Sequence, residues 1–404
     1  MKALALIAAM ATMAGCGTPA PSPNPPNRTK QPDKPLTDRA MELAHHQNRF
    51  GWRVATALTA EAPGENFFMS PSSIAEAFGM ATLGASGKTL AEMSPLVFPQ
   101  DGPMAVKELG ASRNRTIKDL QLLSANSIWI RDGLQVLESY LQSTKKEYGA
   151  EIRYLDFGDP NAPNVINAWI AQATKNKIEK MIESIPDAMG LYLINAVYFK
   201  AAWQDKFDSV ATRPMPFTKL DGKTTEAQMM SRSSRLPYFE NERLQMVQIP
   251  YADGSVVAVF VLPKGDRDPR SLISAFAKEE DDLYARMRPN QGRVRIPRHK
   301  IEYEANLIEA MKSLGIKQAF VAGEADFSRI RSQKDLFIME ARHKAVIETN
   351  EEGSEAAAVT EIGIGVTSAP VGQPFDFLAD RPFLFVIRDL KSGSNLFVGI
   401  VYAP

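Results

Sequence analysis

The chain has 404 residues, of which 44% are hydrophobic, so it is long enough to bury a large core. Lysine plus arginine and aspartate plus glutamate each number 47, so the formal net charge is zero and no overall basic charge favours nucleic acid as a partner. The single cysteine excludes an intrachain disulfide.

Residues 1–15 have the pattern of a secretory signal peptide. Lys2 makes the start positively charged, and the apolar run over residues 3–14 is too short to span a bilayer. The sequence Met-Ala-Gly-Cys at residues 13–16 resembles a bacterial lipobox, because small residues precede the cysteine, although methionine stands where leucine is more usual. An ordinary signal peptide followed by a chance cysteine is the alternative.

Cys16 is the only cysteine and falls at the one place where a lipoprotein signal needs it, which favours lipidation. The mature chain would then begin at lipidated Cys16, with residues 16–36 as a tether. Residues 17–35 are rich in proline and lack large apolar side chains, which predicts an extended, disordered spacer. A diacylglyceryl group plus an N-acyl group anchors stably, since one acyl chain alone is marginal. We therefore expect a protein of the bacterial cell envelope that is lipid-anchored and faces the periplasm or the exterior.

Residues 37–404 show no internal repeat and no second linker, which indicates one large domain. Helices are predicted at 39–58, after a cap at Thr37 or Asp38, from Pro71, at 136–148 and at 162–182. Strands are predicted at 124–130, 191–200, 245–251, 256–262, 294–297, 336–350, 383–388 and 396–401. Because helices dominate the first half and strands the second, we expect an α+β fold.

Short motifs for catalysis or metal binding fail their requirements. Residues 84–87, Gly-Ala-Ser-Gly, fall one residue short of a nucleophile elbow, and both Gly-Lys-Thr triplets lack the upstream glycine of a P-loop. No pair among the four histidines has metal-ligand spacing, and the isolated His343 is expected to be a hydrogen-bonding core residue rather than a base. The sequence therefore predicts neither an enzyme nor a metal or cofactor site.

Residues 351–360, Glu-Glu-Gly-Ser-Glu-Ala-Ala-Ala-Val-Thr, combine two conformational preferences. The three alanines favour a helix, whereas the β-branched residues that follow favour a strand. With a period of two from Ser354, one face is small or apolar, and the carboxylates of Glu355 and Glu361 fall on the other. The uncharged face consists of Ser354, Ala356, Ala358, Thr360, Ile362 and Ile364. This pattern is typical of a strand that can enter a sheet, on a segment that otherwise reads as a loop.

The same run resembles the hinge of the reactive-centre loop of serpins, protease inhibitors whose loop inserts into a β-sheet after cleavage. Other segments resemble serpin motifs in the family's order across residues 37–404. They lie at residues 66–74, 83–85, 166–169, 194–200, 325–328, 343–345 and 380–385. The resemblance implies helices of the first half packed on a large mixed β-sheet with smaller sheets, and an exposed, insertable loop at about residues 351–375.

The resemblance also implies a mechanism in which the loop is bait. A protease attacks the loop and forms an acyl-enzyme, and the cut loop then inserts into the main sheet and distorts the tethered protease. The native state is metastable, so its stability is kinetic. Inhibition of serine proteases is favoured, because no charge or proline interrupts the inward face of residues 354–364. A non-inhibitory serpin that acts as a binding module is the alternative, and an anchored hydrolase lacks a nucleophile motif.

Counting places the reactive bond. Inhibitory serpins usually cut fourteen residues after the hinge glycine, so Gly353 implies the bond between Thr367 and Ser368, with Val366-Thr367 as the nearest alternative. Both bonds offer a small β-branched residue, which favours elastase- or subtilisin-like proteases over trypsin-like ones. Serine proteases are the expected partners and cysteine proteases remain open, with contact to a membrane only through the lipid anchor. We also expect a monomer that uses no cofactor.

Family positions carry over residue by residue. The hinge matches Glu351, Gly353, Ser354, Glu355, Ala356, Ala357 and Ala358. The polar cluster at the opening point of the sheet matches Ser70, Ser73, Asn195 and His343, and Trp203 matches the aromatic residue where the loop enters the sheet. Arg298 matches a partner that ties Glu351 to a neighbouring strand.

A modest basic cluster is formed by Arg113, Arg115 and Lys118. It lies near the position where some serpins bind polyanions. A solvated helix face is the interpretation that we favour for these three residues.

Overall fold

A computed structural model describes residues 35–99, 102–265, 268–354 and 374–404. Its helices lie mostly in the first half of the chain, as the sequence predicts. They are α1 (Asp38–Glu61), α2 (Pro71–Gly84), α3 (Gly87–Val97), α4 (Val106–Arg113), α5 (Glu138–Tyr148), α6 (Ala162–Ala173), α7 (Arg270–Arg286) and α8 (Ile308–Ser313).

Strands dominate the second half. They are β1 (Phe67–Met69), β2 (Arg115–Ile117), β3 (Leu120–Arg131), β4 (Glu151–Leu155), β5 (Leu191–Ala202), β6 (Arg213–Thr218), β7 (Thr224–Glu240), β8 (Leu244–Tyr251), β9 (Val256–Pro263), β10 (Arg288–Pro297), β11 (His299–Asn306), β12 (Arg342–Asn350), β13 (Gly353–Ser354), β14 (Phe375–Leu378), β15 (Phe383–Asp389) and β16 (Ser394–Val401).

The strands form two sheets, and the first one carries the site described below. Within the described residues, the first sheet has seven strands in the order β11-β12-β13-β5-β3-β2, with β4 added to β3 in parallel. The second, counted over the same residues, has nine strands in the order β1-β16-β15-β9-β8-β7-β10-β14, with β6 paired to β7. Both sheets mix parallel with antiparallel pairs. The expected α+β architecture of helices on a mixed sheet with further strands is therefore confirmed.

Helix α2 lies beneath the first sheet, and its start is fixed by local chemistry. Ser70 caps the helix, because its hydroxyl accepts a hydrogen bond from the Ser73 amide at 3.2 Å, and Pro71 occupies the first turn. Nearly every residue of α2 is buried. A helix that is apolar all round belongs in a core, and α2 indeed packs between α1, β5 and β16.

Apolar layers join the elements on both sides of each sheet. Strands β9, β15 and β16 are buried at every residue, as their continuous apolar runs predict. Between the sheets, Phe199 of β5 contacts Tyr251 and Phe397 of the second sheet, with ring centroids 5.3 and 5.9 Å apart. Trp169 of α6 packs edge-on against Trp129 of β3, with ring centroids 6.4 Å apart. Residues 36–404 form one compact unit.

Two predicted elements end earlier or start later than the sequence indicates. The helix predicted to reach residue 182 stops at Ala173, because Lys175 and Asn176 take left-handed backbone conformations, with φ of +52° and +61°, that cannot continue a right-handed helix. The strand predicted from residue 336 begins only at Arg342, and residues 335–341 line a cavity instead. Within the described ranges, no helix combines the length and hydropathy needed to cross a membrane.

Candidate functional site

The hinge begins inside the first sheet. Gly353 and Ser354 form β13, which pairs antiparallel with Asn350 and Thr349 of β12 on one side and with Ala202 and Ala201 of β5 on the other. The sequence pattern predicts a loop able to enter a sheet, and the structure places its first two residues there. The next hinge residues, Glu355 to Ala358, and the reactive-bond residues Val366, Thr367 and Ser368 lie outside the described residues, as does Cys16.

Gly353 is required by a close approach of two backbones. Its φ is +148°, a conformation that residues with a side chain rarely adopt. A Cβ atom at this position would lie 2.1 Å from the Ala201 carbonyl oxygen. Only glycine therefore lets β13 sit this close to β5.

Ser354 points into the core between the two sheets. Its side chain is fully buried, and its hydroxyl lies 2.7 Å from the Tyr251 hydroxyl and 3.4 Å from that of Thr349. Tyr251 stacks on Trp203 with ring centroids 4.3 Å apart. The Trp203 indole in turn donates to the Asn350 carbonyl at 2.9 Å, so one aromatic pair supports both ends of the hinge turn.

An ion pair between a buried carboxylate and a half-exposed arginine holds the residue at the start of the turn. The Glu351 side chain is 7% exposed, and both its carboxylate oxygens accept hydrogen bonds from Arg298 at 2.6–2.9 Å. The Thr212 hydroxyl donates to the same carboxylate at 2.5 Å. Burial acts to raise the pKa of Glu351, but the hydrogen bonds from Arg298 and Thr212 outweigh it and lower the pKa. The carboxylate is thus held charged where the chain turns into β13.

Strands β5 and β12 are separated below β13. In the part of the chain that the structure describes, no β-ladder joins them directly. Two cavities lie between them instead, of about 20 Å³ beside residues 197–199 and about 160 Å³ beside residues 188–196. The opposite side of the smaller cavity is lined by residues 343–346. The opposite side of the larger cavity is lined by residues 335–344. We call this space between β5 and β12 the slot.

The four residues of the expected polar cluster border the slot. Hydrogen bonds join Ser70 to Ser73 and to His343, whereas the Asn195 side chain bonds to other residues. The Ser70 amide donates to Nε2 of His343 at 3.2 Å, and the Ser70 hydroxyl caps the Ser73 amide. Ser73, Asn195 and His343 all line the larger cavity. Burial lowers the pKa of His343 to about 4, so the ring is neutral and carries its proton on Nδ1.

Asn195 turns away from His343 to a residue that sequence analysis missed. Its amide donates to Glu76 of α2 at 2.9 Å, and also to Ser124 and Asn126 of β3 at 3.0 and 2.9 Å. A glutamate on a helix is normally solvent-exposed, so the sequence did not predict a buried role for Glu76. The available signal was its isolation as the only charged residue in the otherwise apolar and small α2 sequence.

The basic cluster is not the solvated helix face that the sequence suggested. Arg113 is buried and pairs with Glu76 at 3.5 Å. Arg115 lies in β2 and bonds to the buried Asp389 at 2.7 Å, which leaves Lys118 as the exposed member. The prediction of a solvated face was wrong because a charged residue is expected to be exposed when no partner is near it in the sequence. The partners here, Glu76 and Asp389, are both distant in sequence. Among the described residues, no group of His, Cys, Asp or Glu is placed to hold a metal ion.

Comparisons with known proteins agree with this geometry. A family described as "Serpin (serine protease inhibitor)" matches residues 45–404. The leukocyte elastase inhibitor of Bos taurus is 32% identical over 90% of this chain and 100% of its own length. The thermophilic serpin Tengpin in its native state superposes with a TM-score of 0.83 at 27% identity, covering 92% of this chain and 96% of Tengpin. Human thyroxine-binding globulin complexed with thyroxine gives a TM-score of 0.81 at 27% identity, covering 91% of this chain and 99% of that one. The chain belongs to the serpin family.

Proposed function

We propose that this serpin inhibits serine proteases by trapping them after its reactive-centre loop is cut and inserted into the first sheet. The observation that carries the proposal is β13, whose two residues already bond to β12 and β5 at the upper end of the slot. The name of the Bos taurus relative, an elastase inhibitor, supports protease inhibition as the activity.

The register of β13 supports insertion of the residues that follow it. Pairing of Ser354 with Ala201 and Thr349 can continue down the slot, one residue at a time along each strand. The inward residues would then meet these neighbours: Thr360 beside Asn195 and His343, Ile362 beside Leu193 and Ala341, and Ile364 beside Leu191 and Met339. Because the last four neighbours line the larger cavity, two isoleucines would fill apolar space. Burial of each isoleucine stabilises the inserted form by roughly 1.5–3 kcal/mol.

The proposed reactive bond joins Thr367 to Ser368, with Val366-Thr367 as the alternative. Neither bond has arginine or lysine beside it, so trypsin-like proteases would cleave both bonds poorly. Elastase- and subtilisin-like serine proteases accept small side chains and are the proposed targets. The chain itself would not turn over substrate, because the acyl-enzyme step uses the nucleophile of the protease.

One incubation tests the mechanism. The protein is mixed with an elastase-like protease, and with trypsin as the matched control, and the products are separated on denaturing gels and mapped by mass spectrometry. We expect a stoichiometric, SDS-stable complex with the elastase-like enzyme and a cut between residues 365 and 370. Clean cleavage without a complex, or a preferred cut at a basic residue, contradicts the proposal. Turnover of a small ester would indicate an enzyme.

A binding module is the second candidate. The larger cavity of about 160 Å³ offers space for a small apolar molecule, and thyroxine-binding globulin is a protein of this fold found in complex with thyroxine. The uncharged inward face of the hinge favours the inhibitor, since a binding module does not need it. Cleavage without trapping, in the incubation above, is the result that favours the module.

We also propose that the protein is anchored by lipid at Cys16 in a bacterial cell envelope and acts as a monomer. The support is the lipobox-like sequence, the single cysteine and the proline-rich residues that follow. Substitution Cys16→Ser should abolish incorporation of labelled fatty acid and release the protein from membranes. Continued labelling or retention of the variant in the membrane fraction contradicts the anchor.

A further inference from the structure

Glu76 is a buried carboxylate that joins three elements beneath the first sheet. It is 5% exposed and projects from α2. One of its oxygens accepts hydrogen bonds from Asn195 of β5 at 2.9 Å and from Asn126 and Ser124 of β3 at 3.1 and 3.2 Å. A single side chain therefore ties α2 to both strands on one side of the slot.

The counter-ion of this carboxylate is itself fixed. Arg113 approaches the other oxygen of Glu76 at 3.5 Å, and its second terminal nitrogen donates to Gln47 of α1 at 2.8 Å and to Ser394 of β16 at 2.9 Å. A buried carboxylate needs such a partner, because an unpaired charge in the core is strongly destabilising. The pair makes the anchor point rigid relative to the second sheet.

The anchor decides where the Asn195 side chain lies. Asn195 and His343 line the larger cavity from opposite sides of the slot, yet no hydrogen bond joins them within the described ranges. All the hydrogen bonds that the Asn195 side-chain amide donates go to Glu76, Ser124 and Asn126. These acceptors lie on the side of β5 that faces away from β12. The buried Oδ1 of Asn195 has no partner, and Nδ1 of the neutral His343 carries a proton, so an Asn195 side chain released from Glu76 would be able to turn and accept a hydrogen bond from Nδ1 when β5 and β12 approach.

We propose that Glu76 is a positioning residue for loop insertion: it holds the Asn195 amide beside β3, so that no hydrogen bond closes the slot between β5 and β12. This inference rests on the proposed inhibitory function. Loss of the charge on Glu76 weakens the hydrogen bonds that hold the Asn195 side chain beside β3 and favours its turn across the slot. The loop must then break that bond before it can pass, so insertion slows and the protease escapes by deacylation.

The test is Glu76→Gln, compared with Glu42→Gln, which changes an exposed glutamate on α1. The substitution keeps an acceptor oxygen but removes the charge, and replacing a charge-assisted hydrogen bond by a neutral one changes an equilibrium or rate by on the order of tenfold. We expect Glu76→Gln to slow insertion by about that factor, which raises the fraction of cleaved, untrapped protein on denaturing gels. The rate of cutting should stay unchanged, because the bait is the same, and Glu42→Gln should match wild type.

A double-mutant cycle separates positioning from a merely structural role. If Glu76 acts through Asn195, the double variant Glu76→Gln/Asn195→Ala should trap protease as well as Asn195→Ala alone. Persistence of the Glu76→Gln defect in the Asn195→Ala background overturns the inference, as does a Glu76→Gln variant that traps like wild type. If Glu76→Gln fails to fold because Arg113 is left unpaired, Glu76→Gln/Arg113→Met removes both charges and replaces it in the cycle.

The time course of thermal stabilisation after loop cleavage gives a second readout that does not need trapping. A wild type that stabilises after cleavage but forms no complex contradicts the proposed inhibition, and a slower gain in Glu76→Gln then still supports the inference. A wild type that neither traps nor stabilises overturns both. A wild type that traps, with an equally fast Glu76→Gln, overturns only the role of Glu76.

Discussion

At the scale of single residues, the hinge depends on side chains that fit one position and no other. Ser354 occupies a fully buried site against Tyr251, and Gly353 leaves no room for a Cβ atom beside Ala201. Both sites are made by the packing of β5 and the second sheet rather than by the hinge itself. A larger side chain at either position must therefore keep β13 out of the sheet.

Substitution Ser354→Arg should turn the inhibitor into a substrate. Burying an unpaired guanidinium at this site costs several kcal/mol, so the hinge would leave the sheet and insertion would slow. The measurement is the stoichiometry of inhibition, which should rise from near one, while cleavage continues at the same bond. Glu355→Arg is the matched control, because period-two alternation puts residue 355 on the outward face. Equal inhibition by Ser354→Arg and wild type would show that insertion does not begin at Ser354.

His299 gives a prediction about acid stability. It is buried beside Phe383 and Phe385, with Nδ1 3.0 Å from the Pro297 carbonyl oxygen and Nε2 without a partner. Burial lowers the pKa from its ordinary 6.5 to about 4. Between these values only the unfolded chain binds the proton, so stability is lost as pH falls from 6.5 to about 4 and changes no further below that.

The expected loss is about 3 kcal/mol for this histidine. Urea unfolding at pH 7.5 and 4.5 measures it, and His299→Gln should lose less stability between the two pH values than wild type. His343 has a similarly lowered pKa and is unchanged in the His299→Gln variant. The variant should therefore still lose part of its stability as the pH falls. An identical pH dependence in wild type and variant contradicts the assignment to His299.

At the scale of elements, the hinge turn is held by ion pairs of different burial. The Glu351 carboxylate, 7% exposed, pairs with Arg298, whereas the Glu352 carboxylate, 24% exposed, pairs with Lys206 at 2.6 Å. Arg298 is the residue between β10 and β11, and Glu351 follows β12, so this pair joins the start of the hinge turn to the connection between the two sheets. Because its carboxylate is the more buried one, the Glu351 pair should matter more than the Glu352 pair.

Substitution Arg298→Gln should loosen β13. Loss of the guanidinium raises the pKa of Glu351 and leaves a buried carboxylate with only Thr212 as a side-chain partner. Hydrogen exchange of the hinge amides, followed by mass spectrometry, should accelerate by on the order of tenfold, as expected when one charged hydrogen bond is lost. Lys206→Gln is the control and should change exchange little. Unchanged exchange in Arg298→Gln would mean that the backbone ladders alone hold β13.

The elements that sequence analysis predicted well are those whose pattern is local. Strands β9, β15 and β16 follow from continuous apolar runs, and α2 follows from its cap at Ser70 and proline in the first turn. The Glu76–Arg113 pair could not be predicted, because its two residues lie 37 positions apart and meet only through the tertiary fold. The same reason explains why Arg113 was assigned to a solvated face. The local sequence pattern predicts the helices and strands. Which polar residues become buried partners depends on how these elements pack in the tertiary fold.

At the scale of the whole molecule, two sheets and a set of helices enclose a slot that interrupts the first sheet. The helices beneath it, the second sheet and the hinge above it all border the space between β5 and β12. A sheet interrupted in this way leaves strand edges and apolar lining without the partners that a continuous sheet provides. The native form is therefore expected to be less stable than a form in which a strand fills the slot.

Cleavage of the reactive-centre loop should raise the unfolding temperature on the order of 20 °C. Insertion would add about ten backbone hydrogen bonds, each worth about 0.5–1.5 kcal/mol, and 1 kcal/mol shifts the unfolding temperature of a large domain by about 2 °C. Thermal unfolding of native and purified cleaved protein measures the gain. Thr360→Arg should abolish most of it, since its register position lies between Asn195 and His343, whereas the outward Glu361→Arg should keep it. Equal unfolding temperatures for native and cleaved wild type would mean that the slot does not accept the loop, and the metastable fold proposed for this chain would have to be abandoned.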